Sequence, residues 1–314
     1  MPVVNIKATN AAGLSHNQFL NYNVESKGLV LNNGNASKIE RESKLAGSVL
    51  ANPNLNSEAR VILNEVVSTN RSTLAGFTEV VGGRADVVVA NPNGITCSGC
   101  GFINTDRATL TTGTPLFGSN GGLSGFAVAR GDILIKDDGF NATALQTLDL
   151  VARSVKLEAP IISAATGSLQ LTTGTNRWSY DTRAVTGSIA GSGATPAYAI
   201  DSSALGGMYA GRIRLIATEA GVGVRMLGEA AASAEEFRIS SEGKLDIRAK
   251  LRGETGLDIE TRAVGADALV VANGELISRG SMTLAARSGG AAIDGSTVIA
   301  TENLSGNFGS LAVG

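Results

Sequence analysis

Short strand-like pieces recur along this chain at a nearly fixed interval, and that interval restricts its fold more than any other feature. Leu148 and Leu150 mark one run of alternating side chains, and Leu169 and Leu171 take the same places in the next, 21 residues on. Two aliphatic runs also end in the same phrase, Ala-Asn-Pro-Asn, and their first asparagines, Asn52 and Asn91, lie 39 residues apart, close to two such steps. A repeat of about 20 residues made of short strands and polar turns is the pattern of a solenoid. Period-two alternation over 155–158, 212–216, 244–248, 256–260 and 282–284 turns one side of each strand toward a core. Helical spacing is nearly absent. The alanine-rich piece 228–237 (GEAAASAEEF) is the weak exception, a short helix or a loop.

In a parallel β-helix each coil is one repeat, and small aliphatic side chains fill a narrow interior. With 43% hydrophobic residues but only 4% aromatic ones, the chain suits that interior, and 40 glycines against 6 prolines suit many tight turns. A β-sandwich is the rival, since it also shows many short strands with turn signals. Asn-Gly pairs at 33–34, 93–94, 120–121 and 273–274 make some hairpins plausible in either fold; periodicity places the β-helix ahead. Two regions interrupt the pattern. Residues 59–83 are read as including a hairpin that leaves the stack. Residues 174–211, rich in Gly, Ser and Ala and holding the sole tryptophan, Trp178, are read as a long excursion between two solenoid segments. Asp149, Asp246 and Asp258 alternate with leucines and are expected to point into solvent.

A net charge of -2 gives no electrostatic footprint for nucleic acid or an anionic membrane. No apolar stretch reaches the roughly 18 residues of a membrane-spanning helix. The start, MPVVNIKATN, has neither a charged leader nor a long apolar segment, so no signal peptide is visible. Met1 is read as an added start on a mature fragment, and the uncapped end NFGSLAVG as a point from which the natural chain continues.

Residues 11–33 (AAGLSHNQFLNYNVESKGLVLNN), 52–55 (NPNL), 61–66 (VILNEV) and 87–113 (VVVANPNGITCSGCGFINTDRATLTTG) resemble the two-partner secretion domain of large exoproteins of Gram-negative bacteria. Filamentous haemagglutinins, haemolysins and contact-dependent inhibition toxins carry that domain. The resemblance covers roughly residues 3–173, and the Cys-x-x-Cys with the stretch 204–225 places it nearest the contact-dependent inhibition and haemagglutinin-like branch. It implies a right-handed parallel β-helix with extra-helical hairpins and loops, divided as a secretion domain over 1–173, the excursion 174–211, and the start of a haemagglutinin-repeat shaft over 212–314. It implies recognition in the periplasm by the POTRA domains of a partner outer-membrane barrel (TpsB/CdiB type), export through that barrel, and folding at the cell surface. A surface receptor on a host or neighbouring cell, met through downstream regions, is a further implied partner. The family's two motifs fall on Asn52, Pro53, Asn54 and Leu55, and on Asn91, Pro92, Asn93, Gly94 and Ile95.

Each candidate residue also has a plainer explanation. Proline fixes φ and lacks an N–H, so an Asn-Pro pair ends strand pairing, while the asparagine amide bonds nearby backbone. Structural turns are therefore favoured over direct transporter contacts, and Asn52 and Asn91 are expected at the same corner two coils apart. Cys97 and Cys100 are the only cysteines and His16 the only histidine, too few for a four-ligand zinc site of Cys and His. A thioredoxin-like centre would need a βαβ context. In an exported protein a disulfide is permissible, and a local Cys97–Cys100 bridge stiffening the turn after Asn91 is favoured over free thiols. His16 is read as a polar cap or turn residue, and 136–139 (KDDG) as a solvated turn, not a calcium loop. No metal, cofactor or catalytic residue is assigned. Parallel β-helices also host polysaccharide-degrading enzymes, but the carboxylates here are scattered. A glycan-binding adhesin patch, with Trp178, Tyr180 and Tyr198 as stacking residues, is the alternative function.

Overall fold

The computed structural model describes residues 1–314, and it is all strand and turn, without a helix. The chain winds as a right-handed parallel β-helix with three faces. The first face runs through Leu14–Phe19, Val61–Val66, Asp86–Ala90, Arg107–Thr111, Thr147–Ala152, Ser168–Thr173, Arg212–Ala217 and Glu236–Ser241. The second takes in Ser72–Leu74, Ile95–Cys97, Asp132–Ile135, Ser154–Leu157, Tyr198–Ser202, Gly223–Met226 and Leu245–Ile247. In the last coils single long strands, such as Gly256–Ala272, bend round from the first face to the second and join both into one 18-stranded sheet. The third face is a separate 11-stranded sheet from Val3–Asn5 to Thr297–Ala300.

The 21-residue step seen in the sequence is one coil: Leu148 pairs with Leu169 and Leu150 with Leu171. Inward positions then stack in columns down the axis. One column runs Leu148, Leu169, Ile213, Phe237, Leu257, Met282, and another Ile161, Met208, Ala230, Leu251, Leu276. All belong to one buried cluster of 61 residues. Each Leu, Ile, Met or Phe side chain in these columns contributes about 1.5–3 kcal/mol on burial, so the repeated inward set holds the register of successive coils. Near the first coil the inward positions turn polar. Ser15 Oγ donates to Lys7 O at 2.7 Å, and Asn17 Oδ1 accepts from Lys7 N at 2.8 Å, so these side chains serve the backbone of the segment leading into the first face.

Several expectations change. Residues 59–83 hold no hairpin: they form the strands Val61–Val66, Ser72–Leu74 and Phe77–Gly82, one on each face. The hairpin that leaves the stack comes earlier, as the antiparallel pair Glu40–Ser43 and Gly47–Leu50. Its turn is seated on buried Glu79, whose carboxylate accepts from Ser43 Oγ, Lys44 N and Leu45 N at 2.7–2.9 Å. The alanine-rich piece is not helical; Ala230–Ala232 is a third-face strand, where small side chains fit between coils. The excursion expected over 174–211 lies outside the stack only as far as residue 197, since Tyr198–Ser202 and Met208–Ala210 are coil strands. The coils continue past it, because Ser168–Thr173 pairs directly with Arg212–Ala217.

That excursion does not stand alone. Strands Thr114–Phe117 and Leu123–Val128, joined by a turn holding Asn120-Gly121, combine with Asn176–Ser179 and Val185–Ser188 into one four-stranded antiparallel sheet. It covers the outside of the first face. Phe126, Trp178 and Tyr180 pack there with Leu14, Leu63, Val88, Ala90 and Val151 in a second core. The run Val87-Val88-Val89 is apolar without alternation because both of its sides are buried.

Candidate functional site

The two Ala-Asn-Pro-Asn phrases build the same turn. In the first, Asn52 Oδ1 accepts from Asn54 N at 3.0 Å and the Asn52 carbonyl accepts from Leu55 N at 3.2 Å. In the second, Asn91 Oδ1 accepts from Asn93 N at 2.9 Å and the Asn91 carbonyl accepts from Gly94 N at 3.0 Å. Each lead asparagine is fully buried and uses its amide Nδ2 to reach across to other segments. Asn52 donates to Ile6 O and Asn32 O at 2.9 and 2.8 Å; Asn91 donates to Asn70 O and Ser72 Oγ, both at 2.9 Å. Leu55 and Ile95 close each phrase inside the main core. Pro53 and Asn54 are exposed, and Pro92 and Asn93 half-buried.

The phrases do not share a corner. Asn52 follows the third face, its N–H bonded to Gly34 O at 2.7 Å, and leads to the first. Asn91 follows the first-face strand Asp86–Ala90 and leads to the second. The interval of 39 residues holds one strand on each face and then a second first-face strand, Asp86–Ala90, so it is one coil and a further face, and its nearness to two coils is a coincidence of turn lengths. Gly94 is held in place twice over. Its φ is +105°, and a Cβ would press into the Arg71 guanidinium, which bonds Asp132 Oδ1 and Oδ2 at 2.8 Å.

Cys97 ends the second-face strand Ile95–Cys97, and Cys100 opens the third-face strand Cys100–Ile103. A disulfide joins them across that corner, with Cα atoms 5.4 Å apart. The staple therefore sits one corner beyond the Asn-Pro turn it was expected to stiffen. Both cysteines belong to the main core.

Between the first face and the overlying sheet lies an ionic cluster that no local motif announces. Asp149 has no solvent exposure, contrary to the expectation that it faces water. Its carboxylate accepts from Arg107 Nε at 2.9 Å and Arg183 Nε at 2.8 Å. The Arg107 guanidinium lies 3.9 Å from the centroid of the Tyr180 ring, and Tyr180 OH donates to Asp86 Oδ2 at 3.0 Å. Burial pushes the Asp86 carboxyl above its usual range, partly opposed by the Tyr180 bond and by Arg107. The Tyr180 phenol is pushed up by burial and by the Asp86 charge. Asp246 and Asp258 do project outward, where they pair with Arg248 and Arg238.

Trp178 and Tyr180 are 1% and 5% exposed, so neither offers a stacking face. Only Tyr198 stays half-buried, with Arg225 over its ring at 4.5 Å. His16 is a strand residue, not a turn: it lies in Leu14–Phe19 with Nε2 2.7 Å from Glu65 Oε2 and its ring 5.3 Å from that of Phe117. Residues 136–139 form a turn between the second and third faces, tied to the Cys97–Cys100 corner by Ser98 Oγ donating to Asp137 Oδ2 at 2.8 Å.

Buried asparagine corners, an interior staple and excursions folded back onto the coils together define a self-supporting β-solenoid module. The chain belongs to the TPS secretion domain family, whose profile matches residues 1–247. It is 44% identical over 265 residues to a tRNA nuclease CdiA of Escherichia coli (strain STEC_O31), a match that covers 82% of this chain and 8% of that protein. It is 41% identical over 252 residues to filamentous hemagglutinin of Bordetella pertussis (strain Tohama I), covering 79% and 7%. The crystal structure of a filamentous hemagglutinin secretion domain superposes with a TM-score of 0.73 at 34% identity, over 99% of this chain and 94% of that one. The chain thus spans about 8% of the length of the CdiA relatives it matches. It is a secretion domain of the kind found in exoproteins that cross the outer membrane of Gram-negative bacteria to the cell surface.

Proposed function

We propose that this chain is the export signal of a contact-dependent inhibition toxin or adhesin, captured in the periplasm by the POTRA domains of a partner outer-membrane barrel. Its coils then close at the cell surface and present a template for the coils that follow. The observation that carries this reading is the construction of the two Asn-Pro corners. Their lead asparagines are buried and spend every amide bond on neighbouring backbone or side chains, so the motif residues Asn52, Leu55, Asn91, Gly94 and Ile95 act in closing the early coils. Pro53, Asn54, Pro92 and Asn93 are the motif atoms left for the transporter. The Cys97–Cys100 bridge serves the same closure.

The chain itself is assigned no catalytic role. Matching relatives are named as nucleases, but an activity of that kind belongs to the long remainder of those proteins. A receptor, like the activity, is assigned to downstream regions. Coils from residue 212 onward carry no excursion sheet, which supports reading 212–314 as the beginning of a shaft, although the family match runs on to 247. The glycan-binding alternative loses its support with the burial of Trp178 and Tyr180. Export of the chain from cells with and without the barrel tests the main reading. Secretion that survives loss of the barrel overturns it.

A further inference from the structure

We infer that Cys97 and Cys100 are oxidised before the coil containing them closes, by thiol–disulfide exchange with a disulfide oxidant that meets the chain while it is extended. The inference rests on the bridge existing in the exported protein, and it adds the order of events.

Three observations carry it. Cys97 is 0% and Cys100 1% exposed. Coils close off both sides: Cys97 lies in register between Leu74 and Ile135, Cys100 lies beside Phe140, and all five residues share the main core. A second thiol must approach a sulfur nearly in line to exchange with it, and this corner leaves no such path. Finally, the two cysteines are only three positions apart, so their meeting needs no long-range folding. An oxidant can therefore act on the extended segment, whereas it cannot reach the finished one.

The chemistry balances with a disulfide donor of the thioredoxin-fold or small-molecule class. One cysteine, as thiolate, attacks a donor sulfur; the donor S–S bond breaks and its other sulfur leaves with the electron pair. The second cysteine thiolate attacks the mixed disulfide, forms the Cys97–Cys100 bond and expels the donor's second thiolate. The two protons lost by the cysteines end on the donor, which is released as a dithiol or as two thiols. The closed loop is too small to widen the chain much, so oxidation in the periplasm is compatible with later threading through a barrel.

The test uses the full chain. Reduced in urea and refolded without oxygen, it is exposed to oxidised glutathione either folded or held in urea, and samples are quenched with iodoacetamide for intact mass. Oxidation of the folded chain should be slower by about a hundredfold or more, the penalty set by the opening of a core coil. Equal rates overturn the inference. Should the reduced chain fail to refold, the native oxidised chain is treated with tris(2-carboxyethyl)phosphine with and without urea: a bridge that survives only in the native state supports the inference, and one lost equally in both overturns it. Free thiols in the freshly exported protein would remove the bridge and this inference with it, while leaving the barrel-dependence of export intact.

Discussion

Arg107 Nε donates to Asp149 Oδ2 at 2.9 Å on the outside of the first face, beneath a sheet assembled from two distant insertions. The carboxylate is fully desolvated, and its other oxygen accepts from Arg183, which belongs to the excursion and not to the coil. One acid thus binds a coil strand to the layer above it. Asp149→Asn leaves two guanidiniums, 15% and 24% exposed, facing a neutral amide. Removing one partner of such a buried group costs about 3 kcal/mol. The cost falls on the docking of the excursion sheet. Trp178, the only tryptophan, reports it: its emission should shift red at a urea concentration well below the loss of β-sheet circular dichroism. Unchanged coincidence of the two probes would contradict this account.

Asp86 gives the docked layer a pH dependence of unusual sign. Burial raises its carboxyl, so the folded state binds the proton more tightly than the unfolded chain does. Stability therefore rises as pH falls through the folded pKa toward the unfolded value near 3.9. Glu236 and Glu260 behave oppositely: hydrogen bonds from Arg214 and Arg287 hold them below the ordinary range, and what they contribute is lost on acidification. Asp86→Asn should remove the gain. Urea midpoints read from Trp178 fluorescence should show the wild type improving relative to the variant between pH 7 and the ordinary carboxylate range. A constant difference would mean that Asp86 does not titrate with folding.

Gly94→Ala should destabilise the second Asn-Pro corner by about 2 kcal/mol, combining a positive φ with displacement of Arg71 from Asp132. Gly47→Ala is the control. Its φ is +71° but its Cβ would meet open space, so only the backbone cost of about 1 kcal/mol applies. Equal losses in thermal or urea melts would show that crowding by Arg71 plays no part.

How far the sequence discloses this fold depends on whether a feature repeats locally. Leu148 and Leu169 are coil neighbours, and the interval between them was visible because successive coils keep the same inward side chains. Asn52 and Asn91 share their turn chemistry, yet identical wording marks a way of turning and not a position around the coil. The burial of Asp149 and Trp178 has no periodic signal because it comes from the docking of a sheet, Trp178 within it, whose strands lie at 114–128 and 176–188, a pairing that leaves no trace in the repeat. The available signal was Val87-Val88-Val89, which breaks alternation where a second layer buries the outer side. Glu79 offers a similar clue, a lone acid inside an apolar strand, buried because it seats the hairpin at Ser43 to Leu45.

The motif at 52–55 divides into a structural and an exposed half, and the two should separate experimentally. Asn52→Ala removes the amide bonds to the carbonyls of Ile6 and Asn32, which it joins across separations of 46 and 20 residues. Ile6 O keeps a bond from Asn54 Nδ2 at 3.2 Å, but losing two buried amide bonds and the Asn52 Oδ1 acceptor of Asn54 N costs about 2–3 kcal/mol. Pro53→Ala lies in solvent and should change stability by no more than about 0.5 kcal/mol. Urea melts of the purified chain and export through the partner barrel are measured for both variants. Loss of export in Asn52→Ala in proportion to lost stability, with Pro53→Ala exported normally, assigns the motif to coil closure. Loss of export in Pro53→Ala at unchanged stability assigns the exposed half to the transporter, and an Asn52→Ala chain that melts like the wild type would contradict the structural role given to that asparagine.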